Sequence, residues 1–133
     1  MKSGALRRTG RFVALTMEAW IALAIFDIAR PAGFARLCAW LHRRRPSRRR
    51  HAAAAEDIVW AVDEACVWYV KRAACLQRSV VATWMLRRQG IAAEMVIGCR
   101  PLPFESHAWV EVDGRVVNDL PQYQRAFTVL NRL

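Results

Sequence analysis

Three residues in the second half of the chain have types and an order suited to acyl chemistry: Cys75, His107 and Asp119. A thiolate is the nucleophilic form of cysteine, and a helix N-terminus favours negative charge. An imidazole beside such a thiol takes its proton, and a carboxylate on the other ring nitrogen fixes the tautomer. The separations are 32 residues from cysteine to histidine and 12 from histidine to aspartate. Singly, each has a blander role: a helical cysteine packs, a strand histidine is hydrogen-bonded, and an aspartate before Leu120-Pro121 makes a turn. Their joint occurrence in this order points to a nucleophile, a base and an orienting acid.

The elements that must position them follow from periodicity. Cys75 opens a helix over about 75–88 that is apolar over most of its surface (Leu76, Val80, Val81, Trp84, Leu86), as a central helix is. Gly90 is placed to end it as a left-handed cap. The period then changes to two. Residues 92–98 read as a strand, and a loop with Pro101 and Pro103 follows. His107–Val112 alternates up to the two-residue turn Asp113-Gly114, and 115–119 returns as the paired strand. Neighbouring strands lie about 4.8 Å apart, so His107 and Asp119 can meet across this hairpin. The turn sets Ala108 opposite Asp119, which leaves Asp119 one step out of register with His107. A bulge or local twist has to correct that step. Upstream, helices are expected over about 11–29, stopping before Pro31, over 32–42, and from Ala52 to about Val70. Four helices followed by a small antiparallel sheet make an α+β fold.

With 133 residues, 55% of them apolar, the chain has the size of one domain and buries a real core. Disordered, collagen-like and disulfide-dense classes are excluded. The net charge of +10 is unevenly placed: residues 1–51 carry 12 Lys/Arg against Glu18 and Asp27, whereas 52–133 are neutral. The chain therefore divides into a basic helical segment with an arginine-rich linker (1–51) and a catalytic core (52–133). The arginines at 43–50 have no interleaved aromatic residue for stacking on single strands, so nucleic acid is not an expected partner. That run reads as a solvated linker, or as a hold on an acidic partner. The apolar stretch 12–26 is interrupted by Glu18 and ended by Asp27, and reads as a buried or docking helix rather than a membrane span. No cleavage-site pattern follows it, and Cys38, Cys66, Cys75 and Cys99 form no CxxC pair. Reduced thiols, a cytoplasmic location and no metal or cofactor are the corresponding expectations.

Three stretches carry a family resemblance: Cys75-Leu-Gln-Arg-Ser79, the run from Met85 to Gly98, and Ser106-His-Ala-Trp-Val-Glu-Val-Asp-Gly114. Over about 73–120 the chain resembles the lasso peptide biosynthesis B2 proteins, leader peptidases with a transglutaminase-like (papain-like) cysteine peptidase core. The resemblance implies that Cys75 attacks the bond joining leader to core in a precursor peptide. His107 then acts as base and acid, and Asp119 orients His107. It also implies a separate B1-type leader-recognition partner with a PqqD-like fold, and an ATP-dependent lasso cyclase that takes the product. The Cys75 backbone N–H is the natural oxyanion donor, with Gln77 and Trp60 as further candidates. Two other readings keep part of this picture. One is acyl transfer to an amine by the same triad; the other is a non-enzymatic basic module binding nucleic acid or an anionic membrane.

Overall fold

The two periodicities separate in space, helices on one side and strands on the other. The computed structural model describes residues 2–44 and 53–133, so the arginine-rich linker lies outside the described residues apart from Arg43 and Arg44. Helix α1 (Lys2–Ala29) begins nine residues before the expected start, because nothing upstream of Arg11 is a stronger breaker than glycine. A 3-10 turn at Arg30–Ala32, with proline in its first turn, leads into α2 (Phe34–Arg43). Helix α3 (Ala53–Val67) stops short of Val70, and α4 (Cys75–Arg88) has the expected limits. Gly90 sits at φ 78°, the left-handed position that ends α4 without a side-chain penalty.

Small residues let the helices approach closely. Leu15, Ala19 and Leu23 of α1 share one core with Ile58, Ala61, Val62 and Ala65 of α3 and with Val81, Ala82, Met85 and Leu86 of α4. Ala93, Val110 and Val112 close this core from the sheet. Arg87 is buried and donates to three backbone carbonyls: Ala93 at 2.8 Å, Leu41 at 2.6 Å and Leu133 at 2.7 Å.

The sheet is antiparallel throughout, in the spatial order β3 (Arg115–Val116), β2 (Phe104–Val112), β1 (Ala93–Pro101), β4 (Thr128–Arg132). Its α+β arrangement of helices and a small antiparallel sheet is the expected one. Three details differ. Strands β1 (Ala93–Pro101) and β2 (Phe104–Val112) run on through the proline segment, so a tight hairpin at Leu102-Pro103 replaces the expected loop. His107 therefore stands inside β2, paired with Gly98, and does not open it. Strand β3 is only Arg115–Val116, so Asp119 lies beyond the ladder instead of closing a strand. A fourth strand, β4 (Thr128–Arg132), covers the free edge of β1 after the short helix α5 (Tyr123–Ala126). The Asp113-Gly114 turn is as expected, with both residues at positive φ (51° and 75°).

Alternation along β2 sends Val110 and Val112 toward the helices. Trp109 packs on the other face with Val96 and Phe127.

Candidate active site

Cys75 is the first residue of α4, directly after Ala74 in extended conformation (φ −73°, ψ 158°). No side chain caps this helix start, which leaves its first N–H groups open toward negative charge. The thiol is partly buried.

His107 and Asp119 meet directly: Nε2 lies 2.9 Å from Asp119 Oδ2, with both side chains about one-sixth exposed (16% and 15%). The step of register that separates them is taken up by a side chain. Backbone pairing between β2 and the returning chain continues as far as the Val117 N–H, which donates to the Val110 carbonyl at 2.9 Å. The Val110 N–H then donates to Asn118 Oδ1 at 2.7 Å, a side chain standing in for the ladder carbonyl. The main chain is freed from the sheet at that point, and Asp119 follows immediately. Asp119 Oδ1 accepts the Leu120 N–H at 2.9 Å, which fixes the carboxylate plane.

Helix α4 anchors the same corner. Asn118 Nδ2 donates to Ser79 Oγ at 3.1 Å, and Ser79 Oγ donates to the Ala108 carbonyl at 3.0 Å. Arg78 Nη2 donates to the Asn118 carbonyl at 2.6 Å and to Asp119 Oδ2 at 2.9 Å. One carboxylate oxygen thus serves both His107 and Arg78. The His107 ring is set among aromatic rings, with centroids 4.4 Å from Tyr123, 5.8 Å from Phe127 and 6.2 Å from Trp109. With Nε2 on Asp119, Nδ1 is the ring nitrogen left to face a nucleophile. Among the described residues no hydrogen bond joins the Cys75 thiol to His107. The structure therefore brings base and acid together, and connects Cys75 to them through Arg78 and Ser79 on its own helix.

A cavity of about 440 Å³ opens beside Asp119, lined by Glu56, Val59, Trp60, Asp63, Val117 and Asn118. Burial pushes the Asp63 carboxyl above its ordinary range, against the opposing pull of the Arg78 charge. At the far end of the aromatic face, burial of Glu111 opposes its ionisation. Hydrogen bonds from Arg132 and Trp109 outweigh that effect and hold it below the usual carboxylate range. Of the two side chains considered for the oxyanion, Gln77 is buried and donates to the Leu23 carbonyl at 3.0 Å, so it is committed to α1. Trp60 is 71% exposed on the cavity rim. Burial raises the Cys38 and Cys66 thiols, which disfavours the thiolate at both. Among the described residues no group of three His, Cys, Asp or Glu side chains could hold a metal ion.

Arg78, Ser79 and Asn118 were not legible as site residues. Arg78 lies three residues after Cys75 and Asn118 adjoins Asp119, yet only the packing of α4 on the β2 edge makes them partners.

Comparison with known proteins bears on this corner of the fold. The family model of the transglutaminase-like superfamily matches residues 19–132. The chain belongs to the transglutaminase-like superfamily. This transglutaminase-like chain is also 43% identical over 56 residues to the microcin J25-processing protein McjB of Escherichia coli. The shared stretch is 42% of this chain and 27% of McjB, so the match spans about a quarter of that relative's length. Both findings agree with the resemblance to lasso peptide B2 proteins carried by the residues around Cys75 and His107. No solved structure matches the transglutaminase-like chain.

Proposed function

We propose that this transglutaminase-like protein is a cysteine peptidase that removes the leader from a ribosomally made lasso precursor peptide in the cytoplasm. Cys75 is the nucleophile, His107 the general base and acid, and Asp119 the orienting carboxylate. The observation that carries this reading is the 2.9 Å contact between His107 Nε2 and Asp119 Oδ2, which leaves Nδ1 for the thiol. Hydrogen bonds of resting active sites often tighten only when substrate binds, so the Cys75–His107 hydrogen bond of the proposed cycle is one expected in the substrate complex.

In the proposed cycle the Cys75 thiol gives its proton to His107 and the sulfur adds to the scissile carbonyl carbon. The helix N-terminus and the Cys75 N–H face the oxyanion. His107 protonates the leaving amine as the C–N bond breaks, giving a thioester. Water, deprotonated by His107, releases the leader acid and regenerates the thiol. The freed core peptide then passes to an ATP-dependent cyclase, and a separate leader-recognition protein of the B1 type presents the precursor. Support for the lasso context comes from the likeness to McjB, whose name states its role in processing microcin J25.

Incubating the protein with precursor and B1-type partner should yield separate leader and core masses. Cys75→Ala should abolish both while leaving the far-UV spectrum intact; continued cutting by that variant defeats the assignment. Acyl transfer to an amine by the same triad is the alternative outcome. A free leader carboxylate establishes hydrolysis, whereas a cross-link with loss of ammonia establishes transfer.

A further inference from the structure

Helix α1 is apolar on the side turned away from the core as well as on the side buried in it. Leu15, Ala19 and Leu23 are buried, while Val13, Met17, Ile21, Ile25 and Ile28 are 51–80% exposed. These five recur at spacings of three and four and form a stripe about 22 Å long at the rise of an α-helix. Trp20 adjoins Ile21 in sequence, and Phe34 and Trp40 of α2 are exposed as well. Mean hydropathy reaches 1.8 over Thr9–Ala32. Scattered exposed aliphatics are ordinary on a protein surface, but an unbroken stripe marks a docking face.

The unpaired charge that α1 and α2 themselves carry is basic. Both acids of α1 are used internally: Glu18 pairs with Arg88 at 2.8 Å, and Asp27 pairs with Lys71 at 2.7 Å and accepts the Tyr69 hydroxyl. Arg11, Arg30, Arg36, Arg43 and Arg44 are exposed on α1, on α2 and on the turn between them. The linker between α2 and α3, Arg45-Pro-Ser-Arg-Arg-Arg-His-Ala52, has no large apolar side chain with which to cover it.

We propose that α1 and α2 lie on an anionic bilayer surface, with the aliphatic stripe at the acyl boundary and the arginines at phosphate level. Interfacial helices combine an apolar face, tryptophan or phenylalanine, and flanking cations in this way. Specific protein interfaces carry about one hydrogen bond per 100–200 Å². The five stripe side chains carry no N–H, O–H or carbonyl group, which suits an acyl boundary, and the exposed arginines supply the complement to anionic headgroups. The helix lies on the membrane and does not cross it, because Glu18, Leu23 and Asp27 fasten it along its length to Arg88, Gln77 and Lys71.

The test is flotation of the full chain with phosphatidylcholine vesicles with and without phosphatidylglycerol. Binding should be at least about tenfold tighter to the anionic vesicles and should fall as salt is raised. The double variant Ile21→Glu/Ile25→Glu should weaken it by a further factor of about ten or more while keeping the helical spectrum. Failure of the unaltered chain to float with anionic vesicles overturns the proposal, and this arm does not depend on a variant folding. So does unchanged binding of the double variant, or a self-associating dimer that the double variant splits, which would assign the stripe to a second copy. Vesicle binding is read without cleavage and can be measured on Cys75→Ala, so its outcome is separate from that of the peptidase proposal.

Discussion

Asn118 accepts the backbone N–H of Val110 at 2.7 Å and so ends the β2–β3 pairing with a side chain. The following residue is Asp119, which thereby reaches His107 instead of continuing a strand. Asn118→Ala strips a partner from the Val110 N–H and from Ser79. It should cost about 1–3 kcal/mol in urea unfolding. Under the proposed peptidase reading, the loss of leader cleavage should exceed what that stability change explains, because Asp119 is less firmly held at the ring. Wild-type turnover by folded Asn118→Ala would show that the hand-off does not position the acid.

Gly98 lies opposite His107, and a Cβ there would stand 2.8 Å from Trp109 Cη2 and 2.9 Å from Phe127 Cβ. Trp109 is fully buried, so the ring has little room to yield. Gly98→Ala should destabilise by about 1–3 kcal/mol through overpacking. The near-UV circular dichroism of Trp109 should change with it, and cleavage should slow because these rings also seat His107.

Arg87 and Arg88 are neighbours in sequence with unequal energetic weight. Arg87→Met leaves three buried carbonyls without their charged donor and should cost about 3 kcal/mol or more by thermal or urea unfolding. Arg88→Met breaks an exposed pair with Glu18 and should cost under about 1 kcal/mol. Equal effects of the two substitutions would contradict the burial difference.

The cluster Asp27–Tyr69–Lys71 sets an expected pH response. Hydrogen bonds from Lys71 and Tyr69 hold Asp27 below its ordinary range, so the stability it contributes is present above the unfolded value near 3.8 and is lost as pH falls through the lowered one. Burial and then the Asp27 carboxylate push Tyr69 from 10.0 up to about 12. Its neutral form is the favoured one, so its contribution is complete below pH 10 and disappears between 10 and about 12. Urea midpoints measured across pH should show both limbs, and Tyr69→Phe should flatten the alkaline one. An unchanged alkaline limb in that variant places its origin elsewhere.

What the sequence made legible is what local chemistry decides. The limits of α4, the cap at Gly90 and the turn at Asp113-Gly114 each depend on a few adjacent residues, and all three stand as expected. The His107–Asp119 meeting was half legible. The turn fixed the register and showed one step missing, but the Asn118 side chain that supplies the step depends on Ser79, 39 positions away. Strand β4 carried little pattern because all five residues are exposed on an edge and its partner β1 lies some thirty residues upstream. The extended start of β2 was hidden by Pro101 and Pro103, which sit at the hairpin end where a missing N–H costs the ladder little. For α1 the apolar run was plain, but whether both faces are covered is decided by which residues α3 and α4 present to it.

Cys75, Arg78 and Ser79 lie within five residues of one helix, and the last two hold Asn118 and Asp119. The thiol and the grip on the carboxylate are therefore parts of a single rigid body. When α4 shifts against the sheet under thermal motion, sulfur and carboxylate travel together, and the alignment between them is buffered. Heat should leave the site in register until α4 itself melts, so inactivation and loss of helical signal should share one transition.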